Sequence, residues 1–404
     1  MTANNCSNPV TPAAVPAPDI QAAPRAWKIP LGAAPVRAWI SALFPLLLLS
    51  CSHAEKLDLG RLKLPPGFHI AVFADVPHAR QMAFSPGGVL LVTDMSDGTV
   101  LAFPDTKRTG RAERTVAVLS GLNAPHGIAF HQGKLYVAEI NAVRRYDWQE
   151  SQLRAGKGQK IADLPGSGGG HSTRTILFAN GKLYVAVGSS CNVCAEDDKR
   201  RAAVTEYNED GSGQRLFASG LRNAVGLTVN PKTNTVWTTD NGRDWLGDDL
   251  PPEEINDLGP NGGNFGWPYC YGDRTPDRSQ SKDYDCSKTV AARVLMQGHS
   301  APLGLLFYAG NMFPADYRGN LFVTLHGSWN RSVPTGYKVV RIKFDDKGDP
   351  QGPPEDFISG WIHPGEKKKG VWMGRPVGLV VGSDGALYVS DDSAGVVYRV
   401  TWEE

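Results

Sequence analysis

The chain has 404 residues, room for two ordinary domains or one large β domain. Its 42 Lys and Arg balance 41 Asp and Glu, which removes any electrostatic case for nucleic acid as a partner. With 45 Gly and 29 Pro it suits short strands joined by tight turns rather than long helices.

Residues 1–51 read as a leader. Residues 1–37 are Ala- and Pro-rich, a disordered n-region charged only at Asp19, Arg25, Lys28 and Arg37. The apolar run Ala38–Leu49 is short for a bilayer span and right for a signal h-region. It ends in Leu48-Leu49-Ser50-Cys51, which resembles a bacterial lipoprotein box and implies a lipid anchor on Cys51 and a periplasmic or cell-envelope location. A plain secretory signal or an anchor helix is the other reading of the run. Residues 52–63 follow as a linker, and 64–404 as the folded domain. Outside the leader and Cys51 four cysteines remain, Cys191, Cys194, Cys270 and Cys286, an even number that in an exported protein favours two disulfides. The local pairings are Cys191 with Cys194 and Cys270 with Cys286, among three possible connectivities. Ala195 follows the CxxC where a c-type haem attachment would need His.

From residue 81 onward one pattern recurs: a few apolar residues, a Gly/Asn/Asp turn, then an alternating apolar strand. It occupies 81–94, 127–139, 175–188, 226–240, 304–325 and 378–391, at intervals of roughly 45 to 80 residues. A third strand follows most copies, such as 98–104 or 337–344, and a fourth precedes the next, such as 115–122 or 214–221. Six units of four antiparallel strands predict an all-β, six-bladed β-propeller. The unpartnered strand 67–76 and the C-terminal strand 396–402 are expected to complete one blade together, which closes the ring without exposed edges.

In such a ring the residues just ahead of each copy converge on the axis. Those slots hold His78 and Arg80; Asn123 and His126; His171 and Arg174; Arg222 and Asn223; His299 and Ser300; and Arg375. Grouped arginines ask for an anionic ligand, and a histidine beside them can act as a general base. The insertion 241–298 carries the pairs Asp248-Asp249 and Glu253-Glu254, read as an exposed loop ahead of a second calcium site; Lys367–Lys369, in the insertion 361–374, read as a solvated run or a footprint for an electron acceptor.

The stretches GGHSTRTILF, SGLRNAVGL, TTDNGRD, EINDLGPNGGNFGWP, TLHGSWNR and GRPVGLVV together resemble the glucose/sorbosone dehydrogenases, quinoproteins that use pyrroloquinoline quinone (PQQ), with a closer likeness to the sorbosone branch. The resemblance runs from about Leu64 to Trp402. It implies hydride transfer from a sugar or sugar-derived aldehyde to PQQ, with His171 as the base and Arg222 over the quinone carbonyls. It implies PQQ contacts from Asn223 and Arg375, calcium held by the backbone carbonyls of Gly242 and Arg243, and electrons passed to an external cytochrome or quinone. His126 joins the expected cofactor-binding set. For the remaining cation Arg331 is expected ahead of His326. Two positions depart from the glucose branch: Ser189 replaces an aspartate that supports the base, and Val377 replaces a second cofactor arginine. A calcium-dependent lactonase and a non-catalytic binding propeller are the alternatives on the same fold.

Overall fold

The computed structural model describes residues 57–166, 169–280, 282–363, 365–366 and 371–404. The leader with Cys51 and the Lys367–Lys369 run lie outside them. Among the described residues no helix is long and apolar enough to cross a membrane. Six antiparallel sheets of four strands, two of them extended by a short additional strand, form the blades of a β-propeller.

The first blade comprises Ala79–Phe84, Leu90–Asp94, Thr99–Phe103 and Val116–Leu119. The second has Ile128–His131, Lys134–Glu139, Ala142–Gln149 and Gln159–Asp163. The third has Arg174–Ala179, Lys182–Val187, Ala203–Asn208 and Arg215–Ser219, with Gly263–Asn264 added in parallel from the long insertion. Leu227–Val229, Val236–Asp240, Glu253–Asp257 and Val294–Met296 make the fourth, and Pro302–Phe307, Leu321–Leu325, Lys338–Phe344 and Pro350–Ile358 the fifth. The sixth takes Pro376–Val381, Leu387–Asp391 and Val396–Trp402 from the C-terminus and Phe68–Asp75 from the N-terminal side. Phe68 pairs with Trp402 and Asp75 with Val396, so the expected closure is present.

The second strand of every blade is buried on both faces; Leu90–Asp94 and Leu321–Leu325 are buried at each position. Apolar clusters therefore lie between successive blades, with Trp237 against Phe307 and Phe344 as one example.

The blades are joined around the axis by a repeated hydrogen bond. The hydroxyls of Thr93, Thr239 and Thr324 donate to the next blade's His126, Leu303 and Val377 carbonyls at 2.9, 2.8 and 2.6 Å. Ser390 closes the ring on Arg80 O at 2.5 Å, and Thr175 serves Val225 O. The second strands of blades two and three carry Ala138 and Ala186 at this position; blade three supplies its hydroxyl from Thr175 on the first strand, and blade two supplies none. There Gly127 N at 2.8 Å and His126 Nδ1 at 3.2 Å meet Arg174 O instead. A Cβ on Gly226 or Gly304 would lie 2.3 Å from Leu303 O or 2.6 Å from Val377 O, so the glycines that open these motifs permit the close approach of inner strands.

Two expectations about chain segments are corrected. The described end of the linker is packed: Leu57, Leu59, Leu62 and Leu64 contact the core between blades five and six, and Lys63 pairs with Ser359. Four leucines in eight residues have apolar area to bury. Glu253 and Glu254 are not in an exposed loop but begin a strand of blade four, only 3% and 7% exposed.

Candidate active site

The short connections leading into the inner strands surround one cavity of about 390 Å³ on the propeller axis. Arg80, His171, Arg222, Asn223, His299 and Arg375 from the axial slots line it, as do Gly242 and His326. Its apolar lining includes Val225 and Leu303, which form a small buried cluster with Val377. The position expected to lack a second arginine is thus part of the hydrocarbon packing beside the cavity.

His171 sits at the end of a glycine-rich turn, where Gly169 and Gly170 have φ of 87° and 63° and a Cβ on Gly170 would lie 2.4 Å from Ser189 O. The turn is held from below by Arg174, fully buried, whose guanidinium donates to the carbonyls of Ile140, Pro165, His171 and Thr173 at 2.7 to 3.1 Å. His171 Nδ1 lies 3.2 Å from Ser189 O and 3.0 Å from Ser189 Oγ, whose own proton goes to Cys191 O at 2.7 Å. A carbonyl can only accept, so Nδ1 carries the proton and Nε2 is left with its lone pair. Burial, then the nearby Arg222 charge, push the His171 pKa down to about 4.

Arg222 is also buried. Its Nε donates to Asn192 O at 2.9 Å, Nη1 to Asn241 O at 3.2 Å and Gly242 O at 2.8 Å, and Nη2 to Asn192 Oδ1 at 2.9 Å and Asp244 Oδ2 at 3.2 Å. All five N–H donors of the fork are used inside the protein. A ligand therefore meets Arg222 as a fixed positive charge rather than a free donor. Desolvation pushes its pKa down, and Asp244, Asp240 and Glu253 oppose that fall. Beside it, Asn223 donates to Asn241 Oδ1 at 3.2 Å while its own buried Oδ1 has no partner. Gly188 lies against both groups: a Cβ there would be 2.5 Å from Asn223 Oδ1 and 2.6 Å from the His171 Cβ.

On the far wall Arg80 Nη1 and His326 Nε2 share Asp392, at 2.6 and 2.8 Å. Burial holds the His326 pKa down at about 4 against the pull of Asp392, whose own carboxyl is held well below the usual range by His326 and Arg80 despite its burial. Arg375 donates to His326 O at 3.0 Å and Gly327 O at 2.7 Å and packs over Trp372, 5.0 Å from the ring centroid. Trp329 lines the cavity and meets Trp245 edge to face at 5.4 Å, both indoles exposed. Glu253, buried beside the cavity, accepts from Gly242 N at 2.7 Å, and desolvation raises its pKa to about 8.

Three expected cofactor or metal residues do not face the cavity with their side chains, and His78, Asn123, Arg174 and Ser300 of the axial slots do not line it either. His126 is completely buried, its Nδ1 taken by the blade junction at Arg174 O. Arg331 turns instead to the 248–249 loop, donating to Asp248 O and lying 2.8 Å from Asp249; the cations on that side are Arg80 and Arg375, with His326 between them. Arg243 directs its guanidinium to Asp277 at 2.7 Å, so any role at the cavity falls to its backbone. Asn241, Asp244, Trp329 and Asn330 also line the cavity and had not been singled out, although TTDNGRD and HGSWNR contain them. Both local disulfides are formed, Cys191–Cys194 and Cys270–Cys286. Among the described residues, the groupings of His, Cys, Asp and Glu close enough to share an ion are Cys191, Cys194 and Glu196, and His78, Asp94 and Asp97; neither includes the cavity carboxylates.

The TrAA12-like family model matches residues 62–403. An uncharacterized protein of Borreliella burgdorferi is 30% identical over 373 residues, 89% of this chain and 95% of that protein. A pyrroloquinoline quinone-dependent pyranose dehydrogenase of Coprinopsis cinerea is 27% identical, covering 84% of this chain and 54% of the enzyme, so the chain spans about half of that relative's length. The holo PQQ domain of the Coprinopsis cinerea pyranose dehydrogenase superposes with a TM-score of 0.72 at 23% identity, covering 84% of this chain and 97% of that domain, a likeness of fold.

Proposed function

The chain belongs to the TrAA12-like family, and on that premise we propose that it is a PQQ- and calcium-dependent dehydrogenase oxidising a sugar or sugar-derived aldehyde. The observation that carries this reading is the meeting of His171, Arg222 and Arg375, brought from separate parts of the ring, around one cavity. PQQ is a flat anion with three carboxylates and an ortho-quinone. The cavity suits it in charge through Arg80, Arg222 and Arg375, in its partly apolar lining, and in its volume of about 390 Å³. The unpartnered Asn223 Oδ1 marks a polar group that lacks a counterpart within the protein. Neutral oxygens at Gly242 and Asn241 and the Asp244 carboxylate form a donor set that suits calcium. Gly242 O already accepts from Arg222, which leaves one carbonyl lone pair for an ion, and the Arg243 carbonyl is the second proposed ligand.

When bound, PQQ supplies the acceptor for the substrate hydride. The chain's own residues do the rest. His171 Nε2 takes the hydroxyl proton; with its pKa down near 4 the imidazole is neutral and available at neutral pH. Ser189 fixes the tautomer but supplies no charge to the imidazolium, a weaker support than a carboxylate. Arg222 and Arg375 stabilise negative charge that grows beside them, with no reorganisation because both are already hydrogen-bonded in place. Trp329 offers an exposed indole against which the C–H face of a pyranose ring can lie. Electrons then pass to an external cytochrome or quinone, and the leader places the enzyme in the periplasm or envelope, anchored through Cys51.

The test is reconstitution with PQQ and calcium, followed by dye reduction with aldoses, sorbosone and simple aldehydes. Reduction that requires PQQ and is lost in His171→Ala is the expected result. Lactone hydrolysis without PQQ, or silence with every substrate, contradicts the proposal.

A further inference from the structure

The CxxC plays no part in the reaction just described, yet it borders both of its central groups. The Cys191–Cys194 disulfide closes a short ring containing Asn192 and Val193. From this ring Asn192 holds Arg222 twice, through its backbone carbonyl to Nε and through Oδ1 to Nη2, each at 2.9 Å. The same Oδ1 accepts from Asp244 N at 2.8 Å, and so sets the carboxylate that also pairs with Nη2 at 3.2 Å. On its other side the ring offers Cys191 O to Ser189 Oγ at 2.7 Å, and that oxygen meets His171 Nδ1 at 3.0 Å. The base of the loop is tied down by Glu196, which accepts from Ser190 N at 2.6 Å and Ser190 Oγ at 2.8 Å.

Two of the five Arg222 donors thus end on Asn192, and a third on an aspartate that Asn192 orients. A loop carrying such contacts without a cross-link would lose them whenever its backbone fluctuated; the disulfide removes much of that freedom. A buried guanidinium deprived of these acceptors would turn to other partners, because an unsatisfied buried charge is costly.

We propose that Asn192, held in the disulfide-closed ring, is a positioning residue that fixes the Arg222 guanidinium, while Cys191 O of the same ring steadies, through Ser189 Oγ, the orientation of His171. The kinetic consequence rests on the quinoprotein reading; the positioning itself does not.

The experiment uses Asn192→Ala, Asn192→Asp and Cys191→Ser/Cys194→Ser, the last with the Cys270–Cys286 disulfide intact. In the unloaded protein, solvent exchange of the Arg222 side-chain N–H protons is followed by NMR, assigned against Arg222→Lys. Exchange at least about tenfold faster in the alanine and double-serine variants is expected, with Asn192→Asp, which keeps the Oδ1 acceptor, close to wild type. In the loaded enzyme the same two variants lose about tenfold or more in kcat with KM little changed, and Asn192→Asp recovers most of the loss. Exchange within about twofold of wild type in Asn192→Ala and the double-serine variant overturns the proposal, as does a lowered melting temperature with Arg222 exchange unchanged. Should the double-serine variant not fold, Asn192→Ala, with its disulfide intact, gives the same decision. If wild-type protein reduces no dye with any sugar, the quinoprotein reading fails, while the exchange rates still decide the positioning.

Discussion

Ser189→Ala removes one hydrogen-bond partner of the proposed base and leaves the histidine in place. The lost Oγ accepts from His171 Nδ1 at 3.0 Å, while the Ser189 backbone carbonyl, at 3.2 Å, remains as an acceptor for the same proton. The tautomer therefore survives, but its orientation loosens. One neutral hydrogen bond is worth about 1 kcal/mol, so kcat/KM is expected to fall about fivefold. Deleting the imidazole should cost about 10²- to 10⁴-fold. The assay is steady-state dye reduction from pH 3.5 to 8. With the His171 pKa lowered to about 4, the neutral base persists on the acid side far below an ordinary histidine, and the histidine-dependent limb lies near pH 4. The sign for stability follows: the unfolded chain binds this proton near pH 6.5 and the folded one does not, so stability due to His171 is present above pH 6.5 and is lost as pH falls towards 4. A Ser189→Ala enzyme as inactive as His171→Ala, or a limb at pH 6.5 in the wild type that vanishes in His171→Ala, would refute this reasoning.

Gly188→Ala should lower turnover and PQQ affinity together, because its Cβ would meet Asn223 Oδ1 at 2.5 Å and His171 Cβ at 2.6 Å; kinetics and a PQQ titration check it. Trp329→Ala is expected to raise KM for the sugar several-fold while leaving PQQ binding intact, since the exposed indole lies at the rim of the cavity. Thr324→Val removes the hydroxyl that donates to Val377 O at 2.6 Å and should cost about 1–3 kcal/mol, read as a shift in the denaturant midpoint.

The ring was legible in the sequence because each blade repeats the same turn between two apolar strands, and because the terminal segments were strands in need of partners. The axial slots were legible too: counting back from each motif found Arg80, His171, Arg222, Asn223, His299 and Arg375. What the count could not resolve is which of two adjacent side chains turns inward. The side chains of Arg222 and Asn223 both turn in, whereas those of His126 and Arg174 are taken by carbonyls at the blade junction and the supporting turn, which only the fold brings within reach. Arg331 failed for another reason. It lies beyond Gly327, whose φ of 102° turns the chain in a direction that no periodicity records. Glu253 and Glu254 looked solvated because a pair of charges is ordinarily exposed. Their burial depends on acceptor roles towards Gly242 N and Gly272 N, partners supplied only by the folded insertion. HGSWNR was legible as a motif and offered His326, but nothing in its spacing assigned Trp329 or Asn330 to the cavity.

The most direct measurement of the central claim is a calorimetric titration of unloaded protein with PQQ in the presence of calcium, repeated with Arg375→Ala and Arg222→Ala. Saturable binding of one PQQ per chain, weakened at least about tenfold in each variant, is the predicted result. No binding to the wild type, or equal affinity in all three proteins, would contradict a quinone seated between these guanidiniums.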